Sequence, residues 1–320
     1  MPADFTRFGL AIGHATDDAG GTGLTVIRGI DTPFRAAATV LGRATGTREL
    51  DALAPSHLVD RIDAVLLTGG SAYGLGAADG VMRWMEERGR GFPVAVGVVP
   101  IVPAAVVFDL APCGIPAARP TPAMAYEACE RATPVVDAEG SVGAGTGTTV
   151  GKLGAVARPM KGGIGAWVEQ GAGVSVGAIA VVNALGDVRD GDGRIIAGAR
   201  SDDGTFLDIA RTVSAGGPPA PRVGGALQNT TLAFVVTDAL LSRVELAQLS
   251  KAAGAALARR ITPVGTTYDG DVIFAAGPMT GEPAPLLQVE SLAVRALEMA
   301  IERAVRTARG RDGIAGLADV

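Results

Sequence analysis

The sequence predicts a layered α/β sandwich. Short apolar runs of strand length recur along the chain and are separated by glycine-containing turns. Two long segments near the C-terminus repeat apolar residues at helical spacing. One segment near residue 70 has the order strand, glycine turn and helix. Strands mixed with amphipathic helices bury their apolar faces most simply as packed layers.

In the first part of the chain, residues 8–30 predict two short strands around a glycine turn. The apolar run 64–68 predicts a strand that ends in Gly69-Gly70. We expect Ser71 to cap a helix that continues to about Arg88, because serine accepts well at an N-cap. The apolar window 92–108 contains three prolines and is a little short for a membrane span, so it predicts buried strand.

The later elements follow the same patterns of periodicity and capping. Ser242 and Glu245 form a capping box ahead of a helical pattern. The other predicted elements are a short helix at 121–132, strands of one sheet within 152–182, a linker at 218–228, strands at 230–237 and 272–276, and a last helix at 286–309.

Composition narrows the possible function. At 320 residues the chain forms one large domain or two. The net charge is −5, and no long charged run precedes the last predicted helix, so nucleic acid and anionic membranes are not expected partners. Cys113 and Cys129 have no metal-binding or disulfide pattern and read as core residues. Residues 1–7 lack the features of a secretory signal, and we expect a cytoplasmic protein.

The Asn229-Thr230 junction carries the most specific chemistry. A segment of small and polar residues runs there directly into an apolar segment that favours a strand. A hydroxyl at such a junction can attack the preceding carbonyl and cut the chain. Thr230 would then be an N-terminal nucleophile whose hydroxyl lies beside its own amine. The alternative is that Thr230 is an ordinary strand-start threonine, since β-branched residues favour strands.

Other polar residues stand at positions where chemistry is possible. Lys152 lies between glycines and an apolar strand, where a lysine can have a lowered pKa and act as a base; it could also be a strand-edge lysine. Asn183 ends an apolar run and could donate to an oxyanion or cap a turn. Asp269 and Asp271 flank a glycine and could be turn formers or cation ligands, although a metal would need more acids nearby.

Two familiar active-site patterns are not met. The glycine-rich stretch 145–152 has threonine where a phosphate loop needs its first glycine, and leucine follows the lysine. His14 and His57 have no partner pattern for a Ser-His-Asp triad. No metal or organic cofactor is predicted.

Four parts of the chain together resemble the L-aminopeptidase/D-esterase/amidase family of self-cleaving hydrolases. They are the 67–75 glycine turn, the segments around Lys152 and Asn183, and the Asn229-Thr230 junction with Asp269-Gly270-Asp271 downstream. The ordered set extends over nearly the whole chain. Within the family, the sequence is most similar to the nylon-oligomer (6-aminohexanoate oligomer) endohydrolase branch, in which the cleaved bond is Asn-Thr.

The resemblance implies an α/β/β/α sandwich similar to the N-terminal-nucleophile hydrolases, formed by residues 1–320 as a single domain. It implies self-cleavage into subunits 1–229 and 230–320 and assembly as a homotetramer. Thr230 would be the nucleophile, Lys152 a catalytic neighbour, Asn183 the oxyanion donor, and Asp269 and Asp271 the orienting acids. Tyr73 is a candidate for substrate contact. Expected substrates are short peptides or ω-amino-acid oligomers.

Two other functions stay open on the sequence. Ornithine acetyltransferases also use a self-cleaved threonine, and the segment 230–234 has a faint similarity to theirs; such an enzyme would pass the acyl group to an amine. A member that keeps the fold as a non-catalytic scaffold would neither cleave itself nor react with an electrophile at Thr230.

Overall fold

Two five-stranded sheets stacked face to face organise the chain. The computed structural model describes residues 2–153, 158–217 and 229–319. The predicted linker at 218–228 therefore lies outside the described residues. Smaller two- and three-stranded ribbons flank the two large sheets.

The described strands, numbered along the chain, are β1 Ala3–Asp4, β2 Leu10–Asp17, β3 Thr22–Gly29, β4 Arg35–Val40, β5 Thr47–Arg48, β6 Ala64–Thr68, β7 Phe92–Val94, β8 Gly97–Val99, β9 Ala104–Val106, β10 Val135–Val136, β11 Thr149–Val150, β12 Met160–Lys161, β13 Gly163–Gly171, β14 Val174–Asn183, β15 Asp187–Arg189, β16 Ile195–Ala197, β17 Thr230–Thr237, β18 Ile261–Thr262 and β19 Val272–Gly277. The described α-helices are α1 Ala78–Glu86, α2 Pro122–Arg131, α3 Ile209–Ser214, α4 Arg243–Arg260 and α5 Leu286–Arg306.

Each large sheet contains one parallel pair among antiparallel neighbours. The first sheet has the order β2-β3-β6-β9-β5, with β6 and β9 parallel. The second sheet has the order β13-β14-β17-β19-β4, with β17 and β19 parallel. Strand β17 thus lies in the middle of the second sheet and is hydrogen-bonded on both sides.

Alternation of side chains along the strands builds three apolar layers. On β17, Leu232 and Phe234 face the other sheet, whereas Ala233 and Val235 face α4 and α5. The first sheet packs one of its faces against α1 and α2, and Leu66 on β6 lies in that layer. The layers are therefore helices, sheet, sheet and helices. The predicted α/β/β/α sandwich is confirmed.

Several predicted elements are confirmed close to their expected limits. Strands β2 and β3, the helix at 122–131, β17, β19 and the last helix are all present. Helix α4 starts with the predicted capping box: the Ser242 hydroxyl accepts from the Glu245 N–H, and the Glu245 carboxylate accepts from the Ser242 N–H. Cys113 and Cys129 are free and buried, and burial raises the pKa of Cys129 to about 12.

The predicted helix start at Ser71 is wrong. Residues Ser71–Ala77 form a 3₁₀ helix, and α1 begins only at Ala78. Ser71 has φ of 54°, whereas an N-cap residue needs extended backbone, and the residue at the cap position is Gly70. The tight turn is set by contacts of the glycines with other loops, which periodicity along the chain does not report.

Two predictions about strands also need correction. The window 92–108 is not one buried strand: β7 and β8 form a hairpin with mostly exposed residues, and only β9 is buried. Its prolines remove ladder donors, which limits each strand to three residues. The segment 152–182 does not lie in one sheet, because β12 pairs with β11 in a separate ribbon and residues 154–157 are outside the description.

No helix within the described ranges is long and apolar enough to span a membrane.

Candidate active site

The ends of several strands from both sheets meet at one edge of the sandwich. Thr230 is the first residue of β17 and pairs in register with Asn183, the last residue of β14. Leu232 on β17 and Val181 on β14 both face the core between the sheets. Because side chains alternate along a strand, Thr230 and Asn183 project toward that same space. The structure thus brings two predicted site residues, 47 positions apart in sequence, side by side.

The carbonyl of Asn229 is held by two donors. The Thr230 hydroxyl donates to it at 2.7 Å, and the backbone N–H of Gly270 donates to it at 2.7 Å. Asn229 is fully buried and Thr230 is only 5% exposed. The Gly270 N–H belongs to the parallel bridge between Asn229 and Asp269, and it points at the oxygen that would carry the negative charge if Thr230 attacked this carbonyl.

Gly270 has no room for a side chain. A Cβ built on it would lie 2.7 Å from Thr230 Oγ1 and 2.6 Å from the carbonyl oxygen of Ala44. The residue between the two acids must therefore be glycine for the backbone to approach the Thr230 hydroxyl this closely.

Lys152 is buried and directly bound to Asn183. Its Nζ donates to the Asn183 side-chain Oδ1 at 2.7 Å and to the Asn183 carbonyl oxygen at 3.0 Å. Burial lowers the pKa of Lys152 to about 7, against the opposing effect of the Asp269 carboxylate. A lysine in this state is largely a neutral amine at slightly alkaline pH and can accept a proton.

The Asn183 carboxamide is oriented by backbone groups as well as by Lys152. Its Oδ1 also accepts from the Thr149 N–H at 3.0 Å, and its Nδ2 donates to the Phe108 carbonyl oxygen at 2.9 Å. Donors on the oxygen side and an acceptor on the nitrogen side fix which way the amide faces. One of the two Nδ2 hydrogens is thus engaged by Phe108, and the second is the one available for the predicted oxyanion contact.

Asp271 and Asp269 flank Gly270 and are both buried. Asp271 accepts from the Thr231 N–H at 2.6 Å, which anchors the start of β17. Burial, and then the neighbouring Asp269 carboxylate, raise the pKa of Asp271 to about 7. Asp269 accepts from the Thr266 N–H at 2.7 Å, and burial raises its pKa while the charge of Lys152 opposes that rise.

The glycine turn at 69–75 reaches the site through Asp109. The Asp109 carboxylate accepts from the Gly70 N–H at 2.6 Å and from the Thr22 hydroxyl at 2.7 Å. Its chain neighbour Phe108 supplies the carbonyl that binds Asn183. Tyr73, in contrast, is 69% exposed with the Arg119 guanidinium 4.7 Å from its ring centre. Its predicted contact with substrate stays a prediction.

The structure therefore brings Thr230, Asn183, Lys152, Asp269 and Asp271 together, whereas Tyr73 is at the surface. Sequence reasoning missed the Gly270 N–H and the Asp109 carboxylate. The first could have been suspected, because glycine between two acids in a buried segment permits close backbone approach. Within the described residues, no group of three or more histidines, cysteines or acids is placed to hold a metal ion.

The chain is similar in sequence to known proteins. The model for Peptidase family S58 matches residues 8–317. An uncharacterized aminopeptidase of Mycobacterium leprae is 43% identical over 251 residues, which span 73% of this chain and 65% of that protein. A 6-aminohexanoate-oligomer endohydrolase of Kocuria sp. is 31% identical over 273 residues, or 83% of this chain and 72% of that protein.

The fold is also shared with a solved structure. The L-aminopeptidase D-Ala-esterase/amidase of Ochrobactrum anthropi, described as a prototype for the serine aminopeptidases with a variant Ntn-hydrolase fold, superposes with a TM-score of 0.69. The sequence identity is 18%, and the match covers 98% of this chain and 89% of that one. At that identity the likeness is evidence for the fold alone.

Proposed function

Because the chain belongs to peptidase family S58, we propose that it is a self-processing amide hydrolase with Thr230 as its N-terminal nucleophile. The observation that carries this proposal is the Asn229-Thr230 junction. There the Thr230 hydroxyl lies 2.7 Å from the carbonyl oxygen of the bond to be cut, and the Gly270 N–H donates to the same oxygen. A nucleophile and an oxyanion donor therefore converge on one buried peptide group.

Self-cleavage proceeds by transfer of an acyl group from nitrogen to oxygen. The Thr230 hydroxyl adds to the Asn229 carbonyl carbon as its proton passes to a base, for which Lys152 is our candidate. The oxyanion is held by the Gly270 N–H. The carbon–nitrogen bond then breaks as the nitrogen takes up a proton, which leaves an ester between Asn229 and the Thr230 oxygen. Water hydrolyses this ester and frees the Thr230 amine.

The cut chain is expected to stay together as one domain. Strand β17 is bound by β14 on one side and β19 on the other, so a break before its first residue removes none of its ladder partners. We propose that residues 1–229 and 230–320 are the two subunits of one unit. Assembly into a homotetramer is a proposal from the family resemblance, to be checked by light scattering. A cytoplasmic location is a separate proposal, to be checked by cell fractionation.

The mature enzyme would use the same groups on a substrate amide. The Thr230 hydroxyl attacks the substrate carbonyl, and Lys152 or the freed Thr230 amine takes the proton and passes it to the leaving amine. The second Nδ2 hydrogen of Asn183 and the Gly270 N–H are the candidate oxyanion donors. Removing one such donor costs roughly 3–4 kcal/mol of barrier in other hydrolases. Water then releases the acyl group.

Short peptides and ω-amino-acid oligomers are the proposed substrates. The named relatives include an aminopeptidase and an endohydrolase of 6-aminohexanoate oligomers. A panel of amino-acid p-nitroanilides, β-peptides and 6-aminohexanoate oligomers, assayed by product release, would rank these classes. Acyl transfer from N-acetylornithine to glutamate in the same assay would instead support the acyltransferase alternative.

The decisive experiment is the mass of the purified protein. We expect the 32.1 kDa chain to separate under denaturing conditions into fragments that end and begin at the Asn229-Thr230 bond. Thr230→Ala should stay uncut and inactive. Thr231→Ala is the matched control, since this neighbouring buried threonine lies on the other face of β17, and it should still be cut. Hydrolysis by an uncut Thr230→Ala protein would disprove the proposal.

A further inference from the structure

A second buried lysine lies close to the site and has no role in the steps above. Of the 28 lysines and arginines in the chain, only three are lysines: Lys152, Lys161 and Lys251. Lys251 is exposed on α4, but Lys161 is 1% exposed. This arginine-rich chain buries two of its three lysines in one region, where each presents a compact ammonium group.

Lys161 holds the loop that leads to the site. Its Nζ donates to the carbonyl oxygens of Thr146 at 2.8 Å and Thr148 at 2.7 Å. The next backbone amide, that of Gly162, donates to the Thr148 oxygen at 3.0 Å. Two carbonyl oxygens that converge in a buried place need a donor, and a charge-assisted one binds them most strongly.

The loop held in this way orients Asn183. Lys161 pairs in register with Thr149 across the ribbon of β11 and β12. The Thr149 N–H donates to Asn183 Oδ1, the same atom that accepts from Lys152. The chain of contacts therefore runs from Lys161 through the loop to Asn183 and Lys152.

We propose that Lys161 is a positioning residue for the Thr230 site: its buried ammonium group fixes the loop that orients Asn183, and its charge adds to burial in favouring the neutral form of Lys152. This inference rests on the function proposed above. The charge of Lys161 acts against a second positive charge on Lys152, in the same direction as burial.

Several titratable groups act on the Lys152 and Lys161 amines. Burial lowers the pKa of Lys161 to about 8 and that of Lys152 to about 7, and the charge of Lys161 lowers the pKa of Lys152 further. The other titratable groups that act on Lys152 are Asp269, Cys113 and Asp109. Those that act on Lys161 are Cys113, Arg311, Asp109 and Asp312.

The test replaces Lys161 and follows the protonation of Lys152. In Lys161→Met, which keeps the length of the side chain but removes its charge, we expect the pKa of Lys152 to rise. Lys152 must be neutral to accept a proton, so a higher pKa means that activity begins to fall at a higher pH as the pH is lowered. The acidic limb of the kcat/KM profile should therefore move up by at least about 0.5 pH unit. Lys161→Arg, which keeps the charge, should return the limb toward the wild-type position. Lys251→Met is the control and should leave it unchanged.

A direct measurement is possible because the chain has so few lysines. Protein labelled with ¹³C at lysine Cε should give three titrating signals. Lys161→Met and Lys251→Met each remove one of them, and the remaining signal is that of Lys152. This titration also works on uncut protein, so it remains informative if Lys161→Met blocks self-cleavage. An unchanged titration of Lys152 in Lys161→Met would overturn the inference. That result would not affect the proposed function, which fails if the wild-type chain stays uncut or if Thr230→Ala is still cut or active.

Discussion

Replacing Gly270 by alanine tests whether the reaction needs the close approach of the Gly270 backbone to the Thr230 hydroxyl. Gly270 is not one of the glycines with positive φ, so its backbone conformation accepts an L-residue. The added Cβ, however, would lie 2.7 Å from Thr230 Oγ1, about 0.7 Å less than an ordinary van der Waals contact. It would also lie 2.6 Å from the Ala44 carbonyl oxygen. The hydroxyl and the Gly270 N–H must therefore move apart.

The size of the effect follows from that displacement. A shift of up to 1 Å between reacting groups costs about 100-fold in rate, and loss of one oxyanion donor costs about 10²–10³-fold. We expect Gly270→Ala to slow self-cleavage about 100-fold or more. The crowding also destabilises the fold by roughly 1–3 kcal/mol, which a thermal melt would detect.

Cell-free synthesis followed by a gel time course measures the cleavage rate directly. Gly191→Ala is the matched control, because the nearest atom to a Cβ there is the Arg260 Nη2 at 3.7 Å and the backbone φ is not positive. It should be cut at the wild-type rate. If folded Gly270→Ala is cut as fast as the wild type, the Gly270 N–H and the close approach at Thr230 have no part in the reaction.

Four further predictions concern the ionisable groups and the amide of the site. Lys152→Arg should fold but lose hydrolysis at pH 8 by at least roughly 100-fold, because arginine does not release its proton, and a rate assay with a thermal melt checks both. The wild-type rate should rise with pH through about 7, where Lys152 becomes neutral. Asn183→Asp should lower kcat by roughly 10²–10³-fold or more, since it removes an oxyanion donor and a carboxylate repels the oxyanion; an unchanged kcat would remove Asn183 from that role. In uncut Thr230→Ala protein, Asp271→Asn should gain stability relative to its parent from pH 4 to about 7. The pKa of Asp271 is raised from 3.8 to about 7 in the folded state, so over this range the unfolded chain releases the proton first and the parent loses stability. Urea unfolding at several pH values measures this gain, of up to about 4 kcal/mol, and a difference independent of pH would contradict the assignment.

The sequence was most informative where the signal is local. Apolar runs of strand length predicted β17 and β19, and the Ser242–Glu245 pair predicted the start of α4. It was least informative in 92–108 and at Ser71. There the backbone path depends on prolines and on glycines packed against other loops, and a window of neighbouring residues does not contain those contacts.

For the site, too, the sequence indicated the residue types but not their contacts. The residue types at Thr230, Lys152, Asn183 and the acid pair were readable from the chain, because each stands at the junction of an apolar run with small or polar residues. Their mutual positions were inferred only through resemblance to a family. The contact of Asn183 with Phe108 joins residues 75 positions apart, and that of Thr231 with Asp271 joins residues 40 apart.

The sequence by itself determined the order of the elements, the layered class of the fold and the hydroxyl at the junction before β17. Only the tertiary structure decided that the Gly270 N–H meets the Asn229 carbonyl, that Lys152 binds Asn183, and that Lys161 holds the loop behind them. The physical reason is that propensity and alternation act between near neighbours. Burial, which sets the proton affinities of these amines and acids, exists only once distant strands have packed against each other.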